Sequence, residues 1–596
     1  MKKDFENAFI AGVSRVAAWA DLLDQINVFP IADGDTGRNL IISLTPILQL
    51  KNNIKEITRN LMLSARGNSG NIAVSFFSEF LKTDSLESLP ITVKKGMKQA
   101  WQAVNEPRSG TMLTLFDALV EILDSDIINT DKQWINHVLN HLENAVSSTT
   151  ELIPKLKEAD VVDAGALGMF IYLDGFFTTL NGNIDRYRPI NEIFKDKLKI
   201  SSSFSEKNQS GYCIDIALRI KNNLEDASID LGDYSENVVS NSEKGFVKLH
   251  LHTDNKEDLK KKLENYGDIV RWSYDDLGAQ IEDFCRSDSE QAIHIMTDAA
   301  GSVTREDSQR LGITLLDSYI TFGNSCVPET HIAPLDLYEA MKNGVKVSTS
   351  QASVFERHQL YESVLSLHSK VLYLCVGSVY TGNYDVVTEW KKENDPYNRM
   401  TVIDSSAASG RLGTIVISTA RFSQKTSNSN EVIKFAKWAI DRCQEYVFLD
   451  KLHYLAAGGR LSKTSAFFGD MFNMKPIISP LAEGATKVGV VRNHDEQLKF
   501  LFAKLEDNLT PSSEALIMLE FSNNQKWVND IVKTQIKERY PNSEIILHPL
   551  SLTSGAHMGP ETWAVAFLPE IEKYFSCIQS TTEMAITPPI NKEDNK

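Results

Sequence analysis

Two carboxylates one residue apart, Asp33 and Asp35, lie in a glycine-containing loop that follows Pro30. The segment reads NVFPIADGDTGRN over residues 27–39. Mg²⁺ prefers a few carboxylate ligands together with substrate phosphates, so a short acidic loop suits a metal–nucleotide site. The same residues are also typical of an Asx turn or β-turn. Taken alone, the loop leaves both interpretations open.

Three further segments place glycine or hydroxyl residues just before a predicted helix: RGNSG at 66–70, RSGTM at 108–112 and DAGALG at 163–168. Backbone N–H groups at helix starts bind phosphates. Each segment could equally be a close helix–helix connection, because glycine permits tight packing. The chain has no GxxxxGK[ST] motif, which excludes a Walker-type site.

Together, NVFPIADGDTG, ARGNSGN, SGTMLT and VVDAGALG resemble the DhaL-type nucleotide-binding domain of dihydroxyacetone kinases, and more closely the N-terminal domain of bacterial fatty acid kinases. The resemblance covers about the first 190 residues. It implies a helical barrel that holds ATP and Mg²⁺, with Asp33 and Asp35 as the catalytic metal ligands. Dihydroxyacetone kinases carry a further Asp before this pair, and Asn27 is the nearest polar residue here. The implied nucleotide contacts are Asn27, Thr36, Gly67, Asn68, Ser69, Gly70, Thr111 and Asp163.

A second candidate site combines a cysteine with two histidines. His250 and His252 are two residues apart in an alternating segment, so they share one face of a predicted strand. With Cys213 on another strand they could bind zinc, which prefers thiolate and imidazole ligands. Solvated histidines beside a buried thiol are the alternative. GYCIDI and VKLHLHTD resemble the middle domain of fatty acid kinases, which implies zinc binding by Cys213, His250 and His252.

Three C-terminal fragments concentrate hydroxyl, guanidinium and imidazole donors: VSTSQ at 347–351, GGRLS at 458–462 and GAHMG at 555–559. Such donors suit a carboxylate or a phosphate, although helix caps and a backbone-satisfied histidine explain them as well. No GxSxG elbow accompanies His557, which argues against a Ser–His hydrolase.

These fragments, with TDAAGS, VGSVYTG, VIDSSAASGRLG and KPIISPLAEG, resemble the DegV family of fatty-acid-binding proteins across residues 290 to about 572. The resemblance implies a two-lobed α/β fold around a buried acyl chain, whose carboxylate is held by Ser350 and His557. Thr321 and Thr349 are further expected contacts. Arg460 is expected to orient the head group or the docking surface.

Hydrophobic periodicity divides the chain into regions that would position these sites. Apolar residues recur every three or four positions from Phe5 onward, which predicts an all-α domain over 1–200. Period-two alternation predicts a small α+β domain over 205–287. Short buried strands between helices predict an α/β domain over 290–575, and 576–596 are expected to form a mobile tail. The predicted fold class is therefore multidomain: an all-α helical barrel, an α+β middle domain and a two-lobed α/β fold.

Composition narrows the function classes. Lys and Arg total 62 against 79 for Asp and Glu, and the net charge of -17 argues against a nucleic-acid partner. The 6 cysteines form no CxxC pair, which argues against a disulfide scaffold and indicates a reducing compartment. The N-terminal MKKDFE lacks the apolar run of a signal peptide. We therefore expect a cytoplasmic homo-oligomer, and a peripheral membrane contact stays open.

The combination of an ATP–Mg²⁺ domain and a lipid-carboxylate domain predicts phosphoryl transfer to a DegV-bound fatty acid, giving an acyl phosphate for phospholipid synthesis. A separate DegV-type carrier or an acyltransferase is the expected protein partner. Two alternatives stay open. The chain could be a lipid-binding or regulatory protein, or a kinase subunit that needs a separate carrier. It could instead be a kinase for a small polyol or ketone.

Overall fold

The structure is a computed structural model of the 596-residue chain. It describes residues 2–50, 54–125, 128, 131–182, 187–206, 210–221, 236–243, 245–284, 291–323, 325–451, 454–455 and 474–569. The chain forms two compact units. The first comprises Met1–Asp288, Asn324–His331 and Gln351–Ser369, and the second comprises Ser289–Gly323, Ile332–Ser350 and Lys370–Lys596.

The first unit begins with a helical region. Its helices are α1 (Lys2–Ala18), α2 (Ala20–Gln25), α3 (Thr36–Leu44), α4 (Ile54–Ser64), α5 (Gly67–Phe80), α6 (Leu89–Ala103), α7 (Met112–Ser125), α8 (Lys132–Leu152), α9 (Pro154–Ala159), α10 (Ala164–Leu180) and α11 (Ile190–Ile193). Nearly every residue of α10 is buried, as expected for a helix that is apolar on all sides. It packs on α1, where the Tyr172 hydroxyl donates to the Phe9 carbonyl at 3.0 Å.

A small antiparallel sheet follows in the same unit. Its strands β1 (Tyr212–Ile220), β2 (Glu236–Glu243), β3 (Phe246–Thr253) and β4 (Gly267–Asp276) pair in the order β2-β3-β1-β4, accompanied by α12 (Lys256–Glu264) and α13 (Leu277–Phe284). Alternation sends Ile214, Ile216 and Leu251 into an apolar cluster with α12. The opposite face carries the polar residues, and its register places Cys213 opposite His252 and Asp215 opposite His250.

The remaining elements alternate between strands and helices. They are β5 (His294–Asp298), α14 (Arg305–Leu311), β6 (Ile313–Leu316), β7 (Ser318–Phe322), β8 (Ser325–Pro328), α15 (Pro334–Lys342), β9 (Val347–Gln351), α16 (Val354–Leu367), β10 (Val371–Cys375), α17 (Asn383–Asn394), β11 (Met400–Asp404), α18 (Ser409–Ser423), α19 (Ser429–Arg442), β12 (Gln444–Phe448), β13 (Lys475–Leu481), β14 (Gly484–Val491), α20 (His494–Glu506), β15 (Leu516–Phe521), α21 (Gln525–Trp527), α22 (Thr534–Arg539), β16 (Glu544–Pro549), α23 (Leu552–Met558) and β17 (Trp563–Leu568).

Two sheets organise the second unit. Strands β11-β10-β5-β6 form a parallel sheet, as expected where helices connect successive strands. Strands β14-β13-β12-β17-β15-β16 form a mixed sheet in which only β15 and β16, among the described pairs, run parallel. Helix α18 packs on β15 and β17, and its Leu412 and Val416 are fully buried in the apolar cluster that includes Met518 of β15 and Ala566 of β17.

Helix α16 belongs to the first unit although β9 and β10 flank it in sequence. Its Ser363 hydroxyl donates to the Ala18 carbonyl at 2.7 Å, and Arg15 of α1 donates to Gln359 at 2.6 Å. Arg15 also pairs with Asp174 of α10 at 2.5 Å, with both side chains buried. The helix is therefore tied to α1 by buried polar contacts.

The helical N-terminal region and the α/β C-terminal region confirm the prediction of a multidomain protein. The barrel arrangement and the domain boundaries stay predictions. The expected tail lies outside the described residues. Across the parts of the chain that are described, no helix is both long enough and apolar enough to cross a membrane.

Candidate functional site

The acidic loop immediately precedes α3 and is held by two asparagines. Asn27 Nδ2 donates to Asp33 Oδ1 at 2.5 Å, and the Asn39 side chain hydrogen-bonds Asp35. Burial raises the pKa of Asp33, and the charge on Asp35 raises it further. Burial also raises the pKa of Asp35, against the opposing effects of Asn39 and of nearby arginines. Two neighbouring half-buried carboxylates with raised pKa values repel each other, and a divalent cation would neutralise that repulsion, so the residues fit a Mg²⁺ site.

Four helix starts converge at this loop. The hydroxyl oxygens of Thr36, the first residue of α3, and Ser69, in the first turn of α5, are 3.3 Å apart. A methyl group placed on Gly165, at the start of α10, would lie 3.5 Å from Ser69 Oγ and 3.2 Å from Met112 Cε at the start of α7. The sequence-predicted phosphate segments are therefore brought together in one place.

The first turn of α5 does not offer all its N–H groups to an anion. Gly67 N–H donates to Asp215 Oδ2 at 3.0 Å, and Gly70 N–H donates to the Arg66 carbonyl at 3.1 Å. Of the predicted contacts in this turn, Asn68 and Ser69 remain as the candidates for phosphate binding through the backbone. Gly67 therefore has a positioning role that the motif alone did not indicate.

Asp163 and Thr111 have local structural roles in the structure. The Asp163 carboxylate caps α10, accepting the Ala166 N–H at 2.7 Å. Burial raises the pKa of Asp163 to about 7, against the opposing N–H groups of Ala166 and Met112. By accepting from both, Asp163 ties the starts of α7 and α10 together. The Thr111 hydroxyl is partly exposed and donates to the Arg108 carbonyl at 3.0 Å.

Cys213, His250 and His252 form a compact, buried cluster. Their candidate ligand atoms all lie within 4.8 Å of one another. Burial, with a smaller effect from the charge of His250, lowers the pKa of His252 to about 3, which keeps the ring neutral as a metal ligand must be. His252 Nδ1 is buried and has no hydrogen-bond partner among the described residues. An unpartnered buried ring nitrogen beside a thiol and a second imidazole fits a zinc site.

The thiol lies within electrostatic reach of the acidic loop. Burial raises the pKa of Cys213, and the next largest effect is the negative charge of Asp35. Cys213 also packs against Ile31 of that loop. The two predicted metal sites, which the sequence separates by about 180 residues, are therefore neighbours within the first unit.

Asp215 is the site residue that sequence reasoning missed. It is buried on β1, two residues after Cys213, and contacts both the start of α5 and His250. Its pKa is held well below the usual range, because Lys248, His250 and the Gly67 N–H outweigh the opposing effect of burial. The HxH pattern could have indicated it, since metal-bound histidines commonly donate to a carboxylate.

In the second unit the structure joins β9 to α23. The Thr349 hydroxyl and His557 Nε2 are 3.1 Å apart. Ser350, the neighbouring residue, is exposed, and strand alternation directs it to the opposite face of β9. Thr321 is partly exposed on β7, next to an apolar cluster that includes Ile320, Tyr338 and Leu552. Arg460 lies outside the described residues.

The helical region with its acidic loop and the α/β region define a two-part protein. A family model described as a DAK2 domain matches residues 30–178, and one described as "Uncharacterised protein, DegV family" matches residues 292–570. The chain is a fusion of a DAK2 (DhaL-type) domain with a C-terminal DegV-family domain.

Curated relatives match part of the chain. An uncharacterised protein of Staphylococcus saprophyticus is 26% identical over 335 residues, covering 50% of this chain and 59% of the relative. An uncharacterised Staphylococcus aureus protein is 26% identical over 318 residues, covering 49% of this chain and 58% of the relative. The chain thus spans less than two thirds of the length of these relatives.

Solved structures of DegV-family proteins match about half of the chain. A fatty-acid-binding DegV-family protein from Thermus thermophilus is 19% identical, with a TM-score of 0.43, covering 47% of this chain and 99% of that chain. DegV from Bacillus subtilis, described as a fatty acid binding protein, gives the same values.

Proposed function

We propose that this chain is a kinase that transfers the γ-phosphoryl group of ATP to the carboxylate of a fatty acid held by its DegV-family domain. The observation that carries the proposal is the convergence of the Asp33–Asp35 loop with the starts of α5, α7 and α10. Paired carboxylates beside helix N-termini are what a magnesium–nucleotide site requires. The DAK2 match covers all of these elements.

Asp33 and Asp35 would hold Mg²⁺, which would neutralise charge on the transferring phosphoryl group. Asn27 and Asn39 fix the two carboxylates in place, and the N–H groups of Asn68 and Ser69 bind phosphate oxygens. A fatty-acid carboxylate is already a nucleophile, so the protein contributes positioning and charge stabilisation and needs no strong general base.

The phosphoryl acceptor, the fatty-acid carboxylate, is assigned to the Thr349–His557 pair of the DegV-family domain. A hydroxyl and an imidazole at 3.1 Å can both donate to one carboxylate, and the adjoining apolar cluster suits the start of an acyl chain. Zinc is assigned to Cys213, His250 and His252. A bound zinc ion would give the buried Nδ1 of His252 the partner that it lacks among the described residues.

The test is acyl phosphate formation by the purified full chain with ATP, Mg²⁺ and a long-chain fatty acid, trapped as a hydroxamate by hydroxylamine. Asp35→Asn removes charge from the metal site without changing its volume and is expected to abolish product. The control Asp124→Asn removes an exposed carboxylate paired with Lys94, a contact of little energetic value, and is expected to keep full turnover.

Three outcomes discriminate among the candidate functions. Product formed only after a separate DegV-type carrier is added would make this chain a kinase subunit. Phosphorylation of a small polyol without acyl phosphate would support the polyol kinase. ATP-independent lipid binding with no phosphoryl transfer to either acceptor would leave a lipid-binding or regulatory protein.

A further inference from the structure

Asp215 contacts two different parts of the first unit with one carboxylate. Oδ2 accepts the Gly67 N–H at 3.0 Å, and Oδ1 accepts from Asn71 Nδ2 at 3.2 Å. Oδ1 is also 3.4 Å from His250 Nδ1 and 3.6 Å from Lys248 Nζ. The first turn of α5 and the Cys213–His250–His252 cluster therefore both contact the single buried carboxylate of Asp215.

The register of the small sheet fixes this arrangement. Asp215 pairs with His250 across β1 and β3, and Cys213 pairs with His252. Residues two apart on a strand share a face, so Asp215 lies beside the thiol and opposite the imidazole. The same face packs against α5, where Asn71 donates both to Asp215 and, at 2.8 Å, to the Gly67 carbonyl.

A carboxylate that accepts from one ring nitrogen of a histidine fixes its tautomer and leaves the other nitrogen free to bind a metal. Here Asp215 Oδ1 lies 3.4 Å from His250 Nδ1, which favours Nδ1 as the donor and Nε2 as the metal ligand. Because the other oxygen of the same carboxylate holds Gly67 N–H, a shift of Asp215 on metal binding moves the turn that contains Asn68 and Ser69.

We propose that Asp215 is a positioning residue that couples metal binding at Cys213, His250 and His252 to nucleotide binding at the start of α5. The inference rests on the proposed function for the identity of the two ligands. Coupling of this kind is reciprocal: zinc tightens the nucleotide, and the nucleotide tightens zinc, by one common factor. Such coupling typically changes the affinity for each ligand by about 5- to 150-fold.

The experiment measures binding alone, on the full chain and without fatty acid. MgADP affinity is determined by calorimetry for zinc-loaded and chelator-stripped protein, and Zn²⁺ affinity by competition with a chromophoric chelator, with and without MgADP. For the wild type we expect each ligand to change the affinity of the other by the same factor, about fivefold or more.

Asp215→Asn keeps the shape but removes the charge, and both factors should fall to about one while circular dichroism stays native. The matched control Asp268→Asn removes an exposed carboxylate of the same sheet and should keep the wild-type coupling. Asp215→Glu keeps the charge but displaces the carboxylate by one methylene, so it should retain zinc and lose coupling even if Asp215→Asn does not fold.

The inference would be overturned if Asp215→Glu showed the same coupling factor as the wild type. The same holds for Asp215→Asn, provided that this variant folds. So would independent binding of zinc and MgADP by the wild type. Intact coupling in a protein that makes no acyl phosphate would refute the proposed function and keep the inference. Absence of MgADP binding would remove both, whereas absence of zinc binding would overturn the inference alone.

Discussion

Replacement of Gly67 by alanine tests how the start of α5 is built. Gly67 has φ +62°, and a Cβ there would lie 2.1 Å from Asn39 Nδ2, whereas real Cβ contacts stay beyond 3.0 Å. Gly182 is a matched control, because it has φ +74° with nothing within 4 Å of an added Cβ. Both Gly→Ala variants incur left-handed strain of about 1–2 kcal/mol, offset in part by the reduced entropy of the unfolded chain.

These common effects cancel when the two variants are compared. The difference in stability that remains for Gly67→Ala comes from the displacement of Asn39, which breaks its hydrogen bond to Asp35. A hydrogen bond to a charged group contributes roughly 1.5–3 kcal/mol. Hydrogen exchange of peptides covering α3 should therefore be faster in Gly67→Ala than in Gly182→Ala by about 10- to 150-fold, and MgADP binding should weaken only in Gly67→Ala. Equal exchange in the two variants would refute this account of the loop.

Three further predictions concern the other clusters. Cys213→Ser should lower bound zinc well below one per chain in elemental analysis, because zinc sites with fewer than three protein ligands are uncommon; unchanged zinc would exclude this cluster. His557→Ala should reduce copurified fatty acid, measured by mass spectrometry, far more than Ser350→Ala, because Ser350 faces away from the Thr349–His557 pair. Glu445→Gln should stabilise the protein at alkaline pH. Burial and the adjacent Glu520 raise the pKa of Glu445, so the contribution of this carboxyl to stability is fully present below about pH 4.5 and is lost as pH rises through the raised pKa; melting curves of the two proteins that stay parallel from pH 5 to 9 would contradict this assignment.

The acidic loop and the HxH pair were predictable because their chemistry is local in sequence. Asp33 and Asp35 lie in one loop, and strand alternation alone puts His250 and His252 on one face. Asp215 was not predictable in the same way. Its role depends on a contact with Gly67, 148 residues away, and on the register of two strands, which periodicity does not specify.

The alternation of side chains along β9 also decides which hydroxyl lies near His557, at the proposed fatty-acid carboxylate site. The VSTSQ segment predicted hydroxyl donors. Which of these hydroxyls point towards His557 depends on which residues of β9 lie on the face beside α23. In the structure that residue is Thr349, while Ser350 is exposed. A shift of one residue in the register of β9 would exchange the two, so the motif alone does not specify which hydroxyl lies beside His557.

Helix α16 shows that the first unit is not continuous in sequence. The pattern of the sequence changes near residue 290, where the DegV-family match begins at residue 292 and the first strand of the parallel sheet, β5, follows. Yet α16, inside that match, buries polar groups against α1: Gln359 accepts from Arg15, which is also paired with Asp174. In the sequence Asp174 only interrupts an apolar run, whereas in the fold its charge is balanced by Arg15. A fragment ending at residue 288 would leave that arginine without Gln359 and would expose the face of α1 that α16 covers, so we expect it to be less stable than the first unit with α16 in place.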